Sequence, residues 1–240
     1  MGLRKTACAA LVYGVWTGAL SAAPVHAYFD LVGHQGLQAV GDSLEFESGD
    51  LTLSATGHLL NDDGSIGDIR RIGQYGYETA WDWSSHSWTV QGGGLGVTTG
   101  HRDSHQVDSR KGDEVIKLSF NKTVTIERLY FSLVDWDDDF AFSVVDGEDA
   151  GAFYPHVDIV GEGYGYYDFH QDWTGTMFGI GAANSTCHKR GKTYSCDNWD
   201  NFKLKGVKVS YDDISPVPLP AAGWMLIAAI GGMGLMRRRK

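Results

Sequence analysis

Alternation of apolar and polar residues with a period of two is the feature that most restricts how this chain folds. Successive side chains of a β-strand point to opposite faces, so this period is typical of strands with one buried face. It recurs six times in the middle of the chain, whereas no stretch outside the two ends has a helical apolar stripe of useful length. The alternating segments are residues 51–56, 115–120, 124–134, 140–145, 177–181 and 202–211.

Two irregularities in this pattern predict β-bulges. The alternation within 124–134 slips its phase near Arg128, and Gly206 interrupts the last segment. Short strands separated by turns rich in Gly and Asp predict an all-β fold, a single antiparallel β-sandwich of the jelly-roll kind. We place this domain at residues 28–215, a length sufficient for one core.

Composition and charge exclude several classes of protein. Glycine makes up about 13% of the 240 residues without a Gly-X-Y period, and eight tryptophans argue against disorder. Setting aside the two basic residues of 1–27 and the four of 237–240, residues 28–236 hold 14 basic and 30 acidic residues, a charge of −16. A domain this acidic is not expected to bind nucleic acid.

The N-terminus has the three parts of a secretory signal peptide in their usual order. Arg4 and Lys5 precede an apolar run over 7–22, and Val25 and Ala27 supply small residues before a cleavage site. We therefore predict a signal peptide over 1–27, cut between Ala27 and Tyr28. The alternative is a buried N-terminal helix, which would not need this order of parts.

The C-terminus combines a proline motif, an apolar run and a basic end. Three prolines within 216–220 cannot donate ladder hydrogen bonds, so they end the domain. Residues 221–236 carry no charge and are just long enough for a membrane helix with basic flanks. The positive-inside rule places the basic end in the cytoplasm and the acidic domain outside. An ordinary tail anchor is the alternative.

This C-terminus resembles the PEP-CTERM sorting signals, in the form called VPLPA-CTERM. The resemblance covers residues 216–240 and rests on the motif residues Val217, Pro218, Leu219, Pro220 and Ala221, on the glycine-containing apolar run, and on the terminal Arg237, Arg238 and Arg239. It implies a Gram-negative, exopolysaccharide-producing bacterium, insertion in the inner membrane, processing by the membrane protease exosortase, and delivery to the cell surface or the extracellular matrix.

Two cysteines remain once Cys8 has left with the signal peptide. Cys187 and Cys196 would close a 10-residue loop, and an oxidising periplasm favours such a bond. The chain-entropy estimate gives it about 2.5–3 kcal/mol. A metal-binding or catalytic pair is the alternative, but the spacing matches no metal motif. We predict a structural disulfide.

A run of carboxylates lies between two predicted strands. Asp135, Asp137, Asp138 and Asp139 repel one another unless solvated or neutralised, and calcium takes 6–8 such oxygen ligands. Residues 61–68 form a second oxygen-rich loop, and neither segment has EF-hand spacing. Calcium is thus the one cofactor that the sequence suggests, and a polar turn is the equally good alternative.

Aromatic residues cluster in two places, and either cluster is an exposed sugar-binding face or part of the core. The clusters are Trp81, Trp83 and Trp88, and Tyr164, Tyr166, Tyr167, Phe169 and Trp173. Two short catalytic patterns are discounted. A Gly-Asp-Ser-Leu match at 41–44 continues as a strand, and His101 and His105 fall in a predicted loop.

We predict that the protein is not an enzyme. The alternatives are an exopolysaccharide-binding module and a secreted hydrolase with carboxylates as acid and base.

Overall fold

The computed structural model describes most of the predicted domain and little of the two ends. The described residues are 23–34, 37–82, 87–99, 105–109, 112–135, 138–182, 187–190, 193–196 and 200–212. The apolar part of the predicted signal peptide and the whole sorting signal, 216–240, lie outside them. Within the described ranges, no helix has the length and hydropathy needed to cross a membrane.

Sixteen strands make up the secondary structure of the described part, and all their pairings are antiparallel. The prediction of an all-β antiparallel fold is therefore confirmed. The strands are β1 (Val25–Asp30), β2 (Leu37–Gly41), β3 (Ser43–Ser48), β4 (Leu51–Leu60), β5 (Ile66–Tyr75), β6 (Glu78–Asp82), β7 (Ser87–Gln91), β8 (Gly94–Thr98), β9 (Val107–Asp108), β10 (Glu114–Val134), β11 (Asp139–Val144), β12 (Phe153–Asp158), β13 (Val160–Ala182), β14 (Cys187–Arg190), β15 (Thr193–Cys196) and β16 (Asn201–Tyr211).

The long strand β10 closes the main sheet on itself. Its first half, up to Phe120, pairs with β4, and its second half, from Thr125, pairs with β16. Since β16, β8, β5 and β4 are neighbours in that order, these two pairings complete a ring. Strand β13 runs along the other edge of β10 and carries β11 and β12. The sequence predicted a β-sandwich, and it did not predict that the main sheet closes into a ring.

Both predicted irregularities are present. The register of β10 shifts between Ile126 and Arg128 against β13 and β16 alike, and that of β16 shifts next to Gly206. Such shifts are β-bulges, which bend a strand and raise its twist. The bulge near Arg128 is confirmed as the cause of the phase slip in the sequence.

Phenylalanines from four strands form the centre of the core. Phe131 lies 5.0 Å from Phe140 and 5.1 Å from Phe202, measured between ring centroids. Phe142 stacks on Phe178 at 6.1 Å. All five rings are almost fully buried because each occupies an inward position of its alternating strand.

Two small hairpins stand outside the main sheet. Strands β6 and β7 pair with Trp81 opposite Trp88, and β14 and β15 pair with Cys187 opposite Cys196. Direct opposition in an antiparallel pair holds two Cα atoms about 4.5–5.5 Å apart, which lies within the range that a disulfide spans.

Candidate functional site

Five tyrosines and two cations form an exposed patch on the outer surface of the sheet, which we call the tyrosine face. Four of the tyrosines expose 40–48% of their surface, and the fifth, Tyr130, is half-buried between them. Exposed aromatic rings are informative when they lie together in one patch rather than scattered singly. The tyrosine face consists of Tyr28, Tyr77, Tyr130, Tyr164 and Tyr166, with Arg128 and Lys205.

Strand register places Tyr130 and Tyr166 in one row across the sheet, and Tyr28, which lies opposite Lys208, joins this row through its ring. Tyr130 on β10 lies opposite Tyr166 on β13 and opposite Gly206 on β16. The ring of Tyr28, from β1, covers Gly206 and reaches Tyr130, with centroids 5.5 Å apart and planes at 88°. Side chains of the neighbouring positions, Leu129 and Phe131, are fully buried, so alternation directs the tyrosines outward.

Gly206 makes room for this row. A Cβ atom at that position would lie 2.6 Å from the hydroxyl oxygen of Tyr28 and 2.9 Å from its Cε2 atom. Any larger residue would therefore displace the Tyr28 ring, so the glycine is required by the close approach of the ring to the backbone.

Arg128 is held between two tyrosine rings. Its guanidinium carbon lies 4.8 Å from the centroid of Tyr166 and 5.6 Å from that of Tyr130, both within the range of a cation–π interaction. Asp168 accepts two hydrogen bonds from Arg128, from Nε and, at 2.7 Å, from Nη2. These bonds raise the pKa of Arg128 and lower that of Asp168. The pair is thus a fixed, charged contact.

Lys205 and Tyr77 extend the patch on the other side. The Nζ atom of Lys205 lies 4.7 Å from the ring centroid of Tyr164. Tyr77 is close enough to both Tyr164 and Tyr28 to raise their pKa values, after the larger effect of burial. Tyr77 and Lys205 therefore lie on the Tyr164 side of the patch.

A second ion-pair group borders the face. Glu127 accepts hydrogen bonds from Lys208 at 2.8 Å and from Nδ1 of His26 at 2.6 Å. Burial opposes ionisation of Glu127, but the bonds from Lys208, Ser210 and His26 outweigh it and lower its pKa. Ion pairing thus leaves little net charge beside the tyrosines.

The predicted aromatic cluster of residues 164–173 is divided between the face and the core. Tyr164 and Tyr166 belong to the face, whereas the other three rings pack against the core. Phe169 lies 4.7 Å and Trp173 6.3 Å from the ring of Phe142, and Tyr167 lies 5.3 Å from Phe140. Trp83 lies outside the described residues.

The sequence did not single out Tyr28, Tyr77 and Tyr130 as site residues. Alternation within 124–134 nevertheless already gave Arg128 and Tyr130 the same orientation.

The predicted calcium turn contains a buried carboxylate. Asp138 is 5% exposed; its Oδ2 accepts a hydrogen bond from the backbone N–H of Asp135 at 2.6 Å, and its Oδ1 accepts one from that of Asn201 at 3.0 Å. Burial raises the pKa of Asp138 to about 7, and the nearby carboxylates of Asp135 and Asp200 add to the rise. A proton can therefore neutralise this group near neutral pH.

No metal-binding cluster of three or more His, Cys, Asp or Glu residues occurs among the residues that the structure describes, which exclude Asp137. Calcium at Asp135, Asp137, Asp138 and Asp139 stays a prediction.

The two short catalytic patterns discounted from the sequence belong to ordinary structural elements where the structure describes them. Ser43 opens strand β3 rather than a helix, and His105 stacks on Tyr75 with centroids 5.5 Å apart. His101 lies outside the described residues. A surface groove of about 410 Å³ is lined by one carboxylate, Asp42, together with Ile69, Arg70, Arg71, Thr98 and Thr99.

Comparison of the chain with protein-family models, with curated proteins and with solved structures finds no match.

Proposed function

We propose that this chain is an exported surface or matrix protein of a Gram-negative bacterium, sorted through its C-terminal signal by an exosortase. The proposal is supported by the order of parts at each end: a positive, apolar, small-residue leader, and a Val-Pro-Leu-Pro-Ala motif before an uncharged run and a basic end. The apolar run holds the protein in the inner membrane until exosortase cuts near the motif.

The domain between the two signals acts in this proposal as a non-catalytic binding domain. The tyrosine face is the observation that supports it, because aromatic rings held on a rigid sheet with charged groups between them are typical of recognition surfaces. The rings are ordered by contacts with the sheet itself, as in the packing of Tyr28 over Gly206. Little conformational entropy is then lost when a ligand binds.

A secreted hydrolase is the less favoured function. Acid–base hydrolysis of glycosides uses two carboxyl groups on opposite sides of a cleft. Among the described residues that line the groove at β5 and β8, Asp42 alone is a carboxylate. The exposed aromatic surface and this groove together favour binding over hydrolysis.

A disulfide between Cys187 and Cys196 fits the proposed export. The hairpin register supports it, since the two residues lie directly opposite one another on β14 and β15. Such bonds persist in oxidising compartments such as the periplasm.

The sorting proposal is tested by following the full chain in an exosortase-containing host and in the same host without exosortase. We expect surface or medium protein lacking residues 237–240 in the first host and membrane-bound, uncut protein in the second. Replacing Pro218 and Pro220 by Ala should reproduce the second result, and replacing Pro155, which lies in β12, should not. Surface protein with an intact Arg237–Lys240 end, or a reporter fused after residue 240 that faces the periplasm, contradicts the proposal.

A further inference from the structure

The charges on and around the tyrosine face balance, although the domain as a whole is strongly acidic. Arg128 pairs with Asp168, and Lys208 pairs with Glu127. Lys205 lies over Tyr164, and on the opposite side Asp30 is close enough to Tyr28 to raise its pKa, after burial. The three cations and three carboxylates named here sum to zero, whereas residues 28–236 together carry −16. These described charges of the face therefore balance, although the domain is acidic.

We propose that the tyrosine face binds a neutral polysaccharide, whose apolar C–H surfaces stack on the tyrosine rings. This proposal rests on the function proposed above and gives its binding domain a ligand class. A sugar ring presents C–H groups on its faces and hydroxyls at its rim, so it matches a surface of aromatic rings bordered by hydrogen-bonding groups. The fixed positions of the rings suit a stiff chain of repeating units.

The row of tyrosines defines the direction of the bound chain. Tyr28, Gly206, Tyr130 and Tyr166 lie on four adjacent strands, β1, β16, β10 and β13. Neighbouring strands are about 4.8 Å apart, so the row extends on the order of 15 Å across the sheet. The perpendicular rings of Tyr28 and Tyr130 form a corner that contacts one sugar from two sides. A short oligosaccharide segment lying across the strands contacts the whole row.

Arg128 and Asp168 supply the polar contacts. The guanidinium has five N–H donors, and Asp168 takes two of them, which leaves donors for sugar hydroxyls. Because Asp168 holds Arg128 in place and balances its charge, the arginine acts as an oriented donor rather than as an anion trap. The tyrosine hydroxyls can both donate and accept, as a ring of sugar hydroxyls requires.

Charge decides against a polyanion. An acidic polysaccharide or a nucleic acid would be repelled by the domain, and Arg128 on the face already has a carboxylate partner in Asp168. A second copy of the domain brings the same excess of acidic residues, −16 over residues 28–236, so the same repulsion weakens self-association through this face. A neutral glycan has no such penalty.

Binding is tested on the full-length chain in mild detergent, with a neutral soluble β-glucan, a neutral mannan and polygalacturonate as probes in affinity electrophoresis. Tyr166→Ala and Tyr130→Ala are the test variants. Tyr154→Ala is the matched control, since Tyr154 has the same 40% exposure as Tyr166 but lies on β12, away from the face. We expect retention by at least one neutral glycan, a loss of about three- to tenfold in each test variant, and no change in the control.

Two further measurements distinguish the loss of stacking contacts from the loss of the folded structure. Tyr166→Trp keeps an aromatic surface and should retain binding, and thermal melts should show that Tyr166→Ala is folded. Retention by polygalacturonate alone, equal retention by test and control variants, or self-association that the test variants abolish would overturn the proposal. Export and sorting are measured separately in cells. If the protein reaches the surface correctly but gives one of these three binding results, the polysaccharide proposal is wrong and the proposal of an exported binding domain is unaffected.

Discussion

Asp138 and Asp200 each accept a hydrogen bond from the backbone N–H beside the other. Oδ1 of Asp138 accepts from Asn201, and Oδ1 of Asp200 accepts from Asp139, both at 3.0 Å. Both side chains are at least nine-tenths buried. These two reciprocal hydrogen bonds connect the turn between β10 and β11 to the start of β16, the strand whose pairing with β10 closes the ring.

The raised pKa of Asp138 predicts a stability that decreases as pH rises. Its pKa is about 7 in the folded protein and near 3.8 when unfolded, so the folded state holds the extra proton between these values. Its stabilising contribution is full below pH 4 and is lost as pH rises through 7. We expect the midpoint of thermal unfolding to fall between pH 5 and 8 by an amount equivalent to a few kcal/mol at most.

The control for this prediction is Asp138→Asn, which cannot titrate. Its unfolding midpoint should depend less steeply on pH than that of the unmodified protein. Asp113, whose pKa is raised to about 6 by burial and by the charge of Asp62, contributes with the same sign and should be replaced in parallel. Parallel curves for the Asp138 variant and the unmodified protein would show that the carboxyl is not protonated in the fold.

Calcium at the acidic turn would compete with that proton. A calcium site at Asp135, Asp137, Asp138 and Asp139 therefore predicts an unfolding midpoint that rises when calcium replaces EDTA, and rises more at pH 8 than at pH 5. Differential scanning calorimetry at the two pH values measures this. A midpoint that calcium leaves unchanged at both values excludes the site, and magnesium serves as the control cation.

The paired hairpin predicts a bond between Cys187 and Cys196. Intact-mass measurement of the exported protein should show a gain of two hydrogen atoms on reduction, and replacing both cysteines by Ser should cost about 2.5–3 kcal/mol of unfolding free energy. Labelling of two free thiols in the native exported protein would contradict the bond. Cytoplasmic expression, where thiols stay reduced, is the matched control.

Strand β1 begins before the predicted signal-peptide cleavage point, which has a measurable consequence. Cutting between Ala27 and Tyr28 removes the pairing of Val25–Ala27 with Val209–Tyr211 and the contact of His26 with Glu127. Because backbone hydrogen bonds contribute about 0.5–1.5 kcal/mol each, a chain starting at Val25 should be more stable than one starting at Tyr28.

Refolding chains of both lengths and comparing their urea midpoints tests the contribution of β1. N-terminal sequencing of the exported protein tests the cleavage point itself. Equal midpoints would show that residues 25–27 add nothing to the sheet. A mature N-terminus at Ala23 or Pro24 would mean that the whole of β1 is retained and that the predicted cleavage point is wrong.

Much of the strand structure follows from the sequence alone. Alternation in the segments 51–56 and 115–120 marks strands because a half-buried strand requires it, and the phase slip at Arg128 marks a bulge because an extra residue inverts the two faces. The segment 140–145 also alternates and forms a strand, but β11 is buried on both faces. The same alternation shows that Arg128 and Tyr130 share one orientation. These are local properties, determined within a few neighbouring residues.

Strand pairing is decided only in the tertiary structure. Tyr28, Tyr130 and Tyr166 come from distant segments. Pairing of β13 with β10 places Tyr166 opposite Tyr130, and pairing of β16 with both β1 and β10 brings the ring of Tyr28 against that of Tyr130. The burial of Asp138 has the same origin, since the N–H of Asn201 reaches it only after β16 has joined the ring. Local patterning determines which side of a strand faces the core, whereas the choice of neighbours depends on the packing of the whole core, which no single segment contains.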